Sequence, residues 1–220
     1  MNIFERHEIF EMEVLDRLKS GNLLQPLVFG GGSMLRLCFE LNRYSVDLDF
    51  WFIKEVDVAV YFEKCRQLLQ SEYEITDEQN KFHSLLFEIR SGNYLRRLKI
   101  EIRKAVKECD FQESIAWSRF SNKQVLLRTH TLEQSMKNKV EALINRNEIR
   151  DAYDIEFLLR KGISLPEMAS EQRALLLRKI NSYRKDDFRV KLGSVLEREM
   201  RDYYVVHGFR LLEEKLRQVG

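Results

Sequence analysis

Two aspartates separated by one residue, Asp47-Leu48-Asp49, sit in the stretch Ser45–Ile53 (SVDLDFWFI), which alternates and is rich in β-formers. On a strand, residues two apart project to the same face, so both carboxylates converge. Neighbours Val46, Leu48, Phe50 and Trp51 are apolar. Crowded carboxylates that lose hydration need a counter-charge, and a divalent cation held by oxygen ligands supplies one. The alternative is a strand end emerging into solvent, with Asp49 paired to Arg43. A third acidic residue, Glu101, lies in Leu98-Lys99-Ile100-Glu101-Ile102, with Ile100 and Ile102 on the opposite face. Glu101 either completes a three-carboxylate cluster or faces solvent, paired with Lys99 or Arg103.

A glycine turn precedes the aspartates. The apolar run Pro26-Leu27-Val28-Phe29 ends in Gly30-Gly31-Gly32-Ser33, and Met34–Leu41 then reads as a helix. Glycines let a backbone approach a ligand closely, and the first turn of a helix offers unpaired N–H groups at the positive end of its dipole. That suits a triphosphate, although any tight strand-to-helix connection could use such a turn. The sequence here is neither GxxxxGK[ST] nor GxGxxG. His7, His83, His130 and His207 show no metal-ligand spacing, and Phe50-Trp51-Phe52 reads as sheet core.

The elements that position these residues follow from periodicity. Phe4–Lys19 has apolar side chains at helical spacing and closes at Ser20-Gly21. Val56–Leu69 reads as a helix, and Tyr73–Ile75, His83–Ile89 and Leu95–Ile102 as strands, the last two joined by a turn at Ser91-Gly92-Asn93. Val125-Leu126-Leu127 adds a short strand. From Thr131, which with Gln134 forms a capping-box pattern, the chain is helical: Leu132–Arg146, Arg150–Arg160, Glu171–Ser182 and Arg189–Gln218, the last broken near Gly208. The expected fold is α/β (α+β): a mixed β-sheet flanked by helices in residues 1–128, then a C-terminal helical bundle in 129–220, with an active site between them.

Composition bounds the alternatives. The 220 residues are 44% hydrophobic and 33% charged, enough for a packed core. A net charge of +2 does not announce a nucleic-acid binder, but Arg90–Lys107 holds seven basic residues against Glu101, a groove for an RNA acceptor or simply a solvated face. Alternation predicts Arg97, Lys99, Glu101 and Arg103 on one face of the strand, with Arg96 and Lys104 elsewhere. Cys38, Cys65 and Cys109 include no CxxC pair, which favours a reducing compartment over a disulfide framework. No stretch approaches eighteen apolar residues and no signal peptide is evident, so a cytoplasmic protein with no membrane partner is expected.

The order of these units resembles the polymerase-β-like nucleotidyltransferases. Gly31-Gly32-Ser33, a helix, then Arg43-Tyr44-Ser45-Val46-Asp47-Leu48-Asp49-Phe50 and a later acidic strand residue form that superfamily's core pattern. The AbiEii/AbiGii toxin family is the member it looks like. Lys139-Val140-Glu141-Ala142-Leu143, Arg146 and Arg150-Asp151-Ala152-Tyr153-Asp154-Ile155 resemble that family's K-x-x-A-L…R…R-D-x-Y-D motif, and the match runs in order through residues 25–160.

The resemblance implies transfer of a nucleoside monophosphate from a nucleoside triphosphate to a cellular acceptor, transfer RNA foremost, by the toxin of a toxin–antitoxin system. Asp47, Asp49 and Glu101 would hold Mg²⁺ or Mn²⁺. Gly31, Gly32, Ser33, Arg43 and Ser45 would contact the nucleotide, and Lys139 would supply positive charge to it, with Asp151 assisting. Asp151 and Asp154 could equally belong, with Arg146, to an interhelical salt-bridge network. A cognate antitoxin is implied as partner. Nucleotidylation of a protein or small molecule, or a catalytically silent nucleic-acid-binding module, are the alternatives.

Overall fold

Helix α1, Ile3–Ser20, begins at Asn2, whose side chain accepts from the Phe4 and Glu5 amides while Glu5 reaches back to the Asn2 amide. The computed structural model describes residues 1–218. These fall into two compact units: residues 1–40 with 44–130, and residues 41–43 with those from Thr131 onward.

The first unit is built on a seven-stranded mixed sheet. Its strands are β1 (Leu27–Gly30), β2 (Asp47–Phe52), β3 (Glu74–Asn80), β4 (Ser84–Arg90), β5 (Leu98–Arg103), β6 (Phe111–Trp117) and β7 (Gln124–His130), in spatial order β3-β4-β5-β2-β1-β7-β6. β2 runs antiparallel to β1 and parallel to β5, while β1 and β7 are parallel. The register unites Leu48, Phe50 and Phe52 of β2 with Ile100 and Ile102 of β5, and these with Phe87 and Leu85 of β4, on one buried face. Helices α2 (Gly31–Phe39) and α3 (Val58–Gln70) complete the unit, α3 capped by Asp57 on the Val60 amide.

β7 extends well beyond the expected Val125–Leu127, and β3 beyond Tyr73–Ile75. β6 had no counterpart in the sequence reading. It pairs antiparallel with β7 but buries Ala116 alone among its seven residues, so it carries little hydrophobic pattern.

The second unit is helical: α4 (Leu132–Arg146), α5 (Ile149–Arg160), α6 (Ser170–Asn181), α7 (Arg198–His207) and α8 (Arg210–Arg217). Thr131 caps α4 by accepting from the Gln134 amide. The helix expected over Arg189–Gln218 is interrupted twice. Asp187–Leu192 is a π-turn running into a 3₁₀ turn at Gly193–Val195, and Gly208, at φ 59°, separates α7 from α8. Glu156, buried among these helices, accepts from the Tyr204 hydroxyl (3.1 Å), the Leu212 amide (3.3 Å) and Arg160 (2.9 Å). Among the described residues no helix is long and apolar enough to cross a membrane.

Candidate active site

The sheet face opposite the apolar one carries the carboxylates. β2 presents Asp47, Asp49 and Trp51 there, and the parallel register sets them against Lys99, Glu101 and Arg103 of β5 in that order. Asp49 and Glu101 are therefore direct neighbours. Lys99 Nζ lies 3.8 Å from Asp47 Oδ2 and 3.6 Å from Glu101 Oε2, so the Lys99–Glu101 pair left open by the sequence is present and also reaches Asp47. The side chains of Asp47 and Glu101 keep 40% and 22% of their exposure, enough for a ligand to reach them. Among the described residues no three histidine, cysteine, aspartate or glutamate side chains are already gathered as a metal-holding group.

Of the glycine turn, Gly30 ends β1 opposite Asp49, and Gly31 opens α2 at φ +74°. A Cβ on Gly31 would stand 2.5 Å from Asp49 Oδ2, so both backbone angle and space require glycine there. The helix start, with its orphan amides at Gly31 and Gly32, thus abuts the carboxylate row.

Ser33 departs from expectation. Its side chain is fully buried, with Oγ 2.9 Å from Glu11 Oε1 and 2.6 Å from the carbonyl oxygen of Asp47. The hydroxyl expected on a phosphate ties α1, α2 and β2 together instead. Arg43 departs similarly: only 4% exposed, it forks onto Asp154 with Nε 2.6 Å from Oδ1 and a second nitrogen 2.7 Å from Oδ2. The nucleotide contact expected of Arg43 is replaced by a buried ion pair within the helical unit. Ser45 is half-buried just before β2.

Lys139 shares that ion-pair network. Its Nζ lies 2.6 Å from Asp154 Oδ2 and 3.3 Å from Asp151 Oδ1, while Arg146 donates to both oxygens of Asp151 at 2.7 and 2.8 Å. Lys139 is buried and Lys137 exposed. Burial alone would push the Asp154 carboxyl up, yet Arg43 and Lys139 together hold it below its ordinary value.

The basic run is partly neutralised locally. Arg90 pairs with Glu74 at 2.6 Å and Arg97, just ahead of β5, with Glu88 at 2.7 Å. Arg103 remains on the carboxylate face, its guanidinium 5.6 Å from the Trp51 ring centre. Trp51, read as core with Phe50 and Phe52, projects to this face and packs against His130, ring centres 4.9 Å apart.

Burial lowers the His130 pKa to about 4. The unfolded chain then binds the extra proton between about pH 6.5 and that value, so this stability is present above pH ~6.5 and lost as pH falls toward 4. His130→Gln is expected to flatten the slope of melting temperature against pH across that window. An unchanged slope would contradict a neutral, buried His130.

Comparison with known proteins supplies the context for this geometry. The family described as nucleotidyl transferase AbiEii toxin, type IV toxin–antitoxin system, matches residues 13–204. The chain belongs to this family. It is accordingly a nucleotidyltransferase of the toxin–antitoxin class, with a nucleotide as substrate and an antitoxin as its counterpart. Among solved structures, a candidate nucleotidyltransferase from H. pylori has a TM-score of 0.56 at 19% identity, covering 96% of this chain and 97% of that one. JHP933 from Helicobacter pylori has a TM-score of 0.53 at 22% identity, covering 94% and 93%. At these identities the likeness establishes the fold alone. Comparison with curated proteins finds no match.

Proposed function

We propose that this AbiEii-family chain transfers a nucleoside monophosphate from a nucleoside triphosphate to an RNA acceptor in the cytoplasm, transfer RNA foremost, with Mg²⁺ or Mn²⁺ as the metal. The observation that carries this reading is the single sheet face bearing Asp47, Asp49 and Glu101 beside the start of α2.

The donor set fits the metal. Three carboxylates offer hard oxygen ligands, and Lys99 now balances two of them as the metal would. Withdrawal of the Lys99 side chain, itself 35% exposed, would free both oxygen groups. When bound, the metal lowers the pKa of an attacking hydroxyl and neutralises charge on the leaving pyrophosphate.

The chain's own residues do the rest. The amides of Gly31 and Gly32 point the positive end of α2 at phosphate oxygens. The carboxylate row orients the acceptor hydroxyl for in-line attack on the α-phosphorus, and Arg103 beyond it meets the acceptor backbone. Lys139, ordered by Asp151 and Asp154, contributes to nucleotide binding.

Transfer measured across a salt series tests the acceptor. Phosphate contacts make RNA binding fall steeply with salt. The Arg97→Ala/Arg103→Ala variant should impair RNA labelling while nucleotide affinity stays within about twofold, since phosphate-contacting cations act on acceptor binding. Lys139→Ala should weaken nucleotide binding and Lys137→Ala should not. A flat salt profile with unchanged labelling would remove RNA as the acceptor and leave a protein or small molecule.

A further inference from the structure

Helix α1 buries three polar side chains: Glu8, which pairs with Arg36, and His7 and Glu11, four residues apart and each 1% exposed, which approach the strand carrying the aspartates. Residues at i and i+4 lie on one helical face. His7 Nε2 is 3.0 Å from the carbonyl oxygen of Val46, and Glu11 Oε1 is 2.9 Å from Ser33 Oγ, which is 2.6 Å from the carbonyl oxygen of Asp47. Two successive carbonyls, at the point where β2 begins, are therefore held from the same helix.

The proton positions follow from counting donors. A carbonyl oxygen only accepts, so His7 donates to Val46 through Nε2 and Ser33 donates its single hydroxyl proton to Asp47. The same hydroxyl is also placed to donate to Glu11 Oε1, so both contacts are hydrogen bonds at once when Glu11 is un-ionised and donates to Ser33 Oγ. Burial pushes the Glu11 carboxyl well above its ordinary range and lowers the His7 pKa, so burial favours the neutral form of each group.

Besides Glu8, the rest of the buried face of this helix is Phe10, Met12, Val14, Leu15 and Leu18, and buried polar groups there carry a desolvation cost that their hydrogen bonds offset only in part, since His7 Nδ1 has no partner. Apolar side chains would fill these positions without that cost. We propose that His7 and Glu11 are positioning residues, which fix the peptides on both sides of the Asp47 Cα and thereby aim the Asp47 carboxylate. The role of this clamp in the reaction rests on the reading of Asp47 as a site residue.

The test needs a readout of the clamp that does not depend on activity. Asp47-Leu48 is the only Asp-Leu step in the chain, so labelling aspartate carbonyls with ¹³C and leucine amides with ¹⁵N leaves one correlated resonance, that of the Asp47 carbonyl. Glu11→Gln, whose amide N–H can still donate to Ser33, should keep this resonance near its wild-type position, with kcat within about threefold. Glu11→Leu should displace it in the direction set by Ser33→Ala. It should also lower kcat by about tenfold to a hundredfold, the scale of a small misplacement of a reacting group, with nucleotide KM and melting temperature little changed. Should Glu11→Leu fail to fold, Glu11→Met serves instead.

An unmoved resonance in the apolar variant overturns the clamp, whatever happens to transfer. A displaced resonance with unchanged kcat overturns its role in positioning. Full transfer by Asp47→Ala would instead defeat the assignment of Asp47, and the carbonyl resonance would still report whether α1 holds this backbone.

Discussion

Asp47→Ala and Asp49→Ala are each expected to lower nucleotidyl transfer by at least about a hundredfold, the scale on which removal of one electrostatic stabiliser acts. The fold should be untouched. The Asp47 side chain is 40% exposed, and Lys99, which now faces both Asp47 and Glu101, keeps Glu101 as a partner after the change. Surface changes of this kind move stability by about half a kcal/mol or less. Melting curves and transfer rates on the same samples separate the two effects. A variant that melts like the parent and transfers at full rate would remove Asp47 or Asp49 from the chemistry.

The second large effect is on stability. Asp154 is fully buried between Arg43 and Lys139, and its removal strands the Arg43 guanidinium, 4% exposed, without this carboxylate. Breaking a buried pair by deleting one partner costs about 3–5 kcal/mol. Asp154→Ala should show that loss in its urea midpoint. Because the folded Asp154 is held below the ordinary carboxylate value, its contribution is complete above pH ~3.9 and fades as pH falls through the lowered value. Acid unfolding of the parent should therefore steepen below that pH, and the steepening should be absent in the variant. A midpoint within about 1 kcal/mol of the parent, well short of the usual cost, would show that Arg43 is held by other groups.

What the sequence disclosed, and what it hid, divides along the source of the pattern. Alternation in β2 and β5 placed Asp47, Asp49 and Glu101 correctly because one face of each strand is buried and the other is not. β3 and β6 stand at the two edges of the sheet and are mostly exposed, so β3 read short and β6 was missed. Edge strands tolerate charge and lack the two-sided contrast that alternation needs. In the C-terminal segment, helical periodicity anticipated the break at Gly208 but not the π and 3₁₀ turns. There a Cβ on Gly193 would lie 2.9 Å from the Phe188 carbonyl oxygen five residues back and 3.0 Å from the Arg201 side chain, close contacts that leave no trace in spacing.

The site shows the same division. Residue types pointed to a carboxylate row beside a glycine turn, and both are adjacent in the fold. Arg43, Ser33, His7 and Glu11 were beyond reach because their roles depend on what they are buried against. Helix α1 was recognised from Ile9, Val14, Leu15 and Leu18, and polar residues between such positions read as solvent-facing until Ser33 and Val46 are placed next to them. Arg43 and Asp154, 111 residues apart, meet only through folding.

The most direct measurement is incubation of the purified protein with each nucleoside triphosphate labelled at the α-phosphate, together with total RNA and cell lysate, with Mg²⁺ or with excess chelator. The account predicts label in RNA of transfer-RNA size, dependent on the divalent metal and absent with Asp47→Ala. Transfer that survives chelation, or that proceeds equally well without the Asp47 carboxylate, would contradict it.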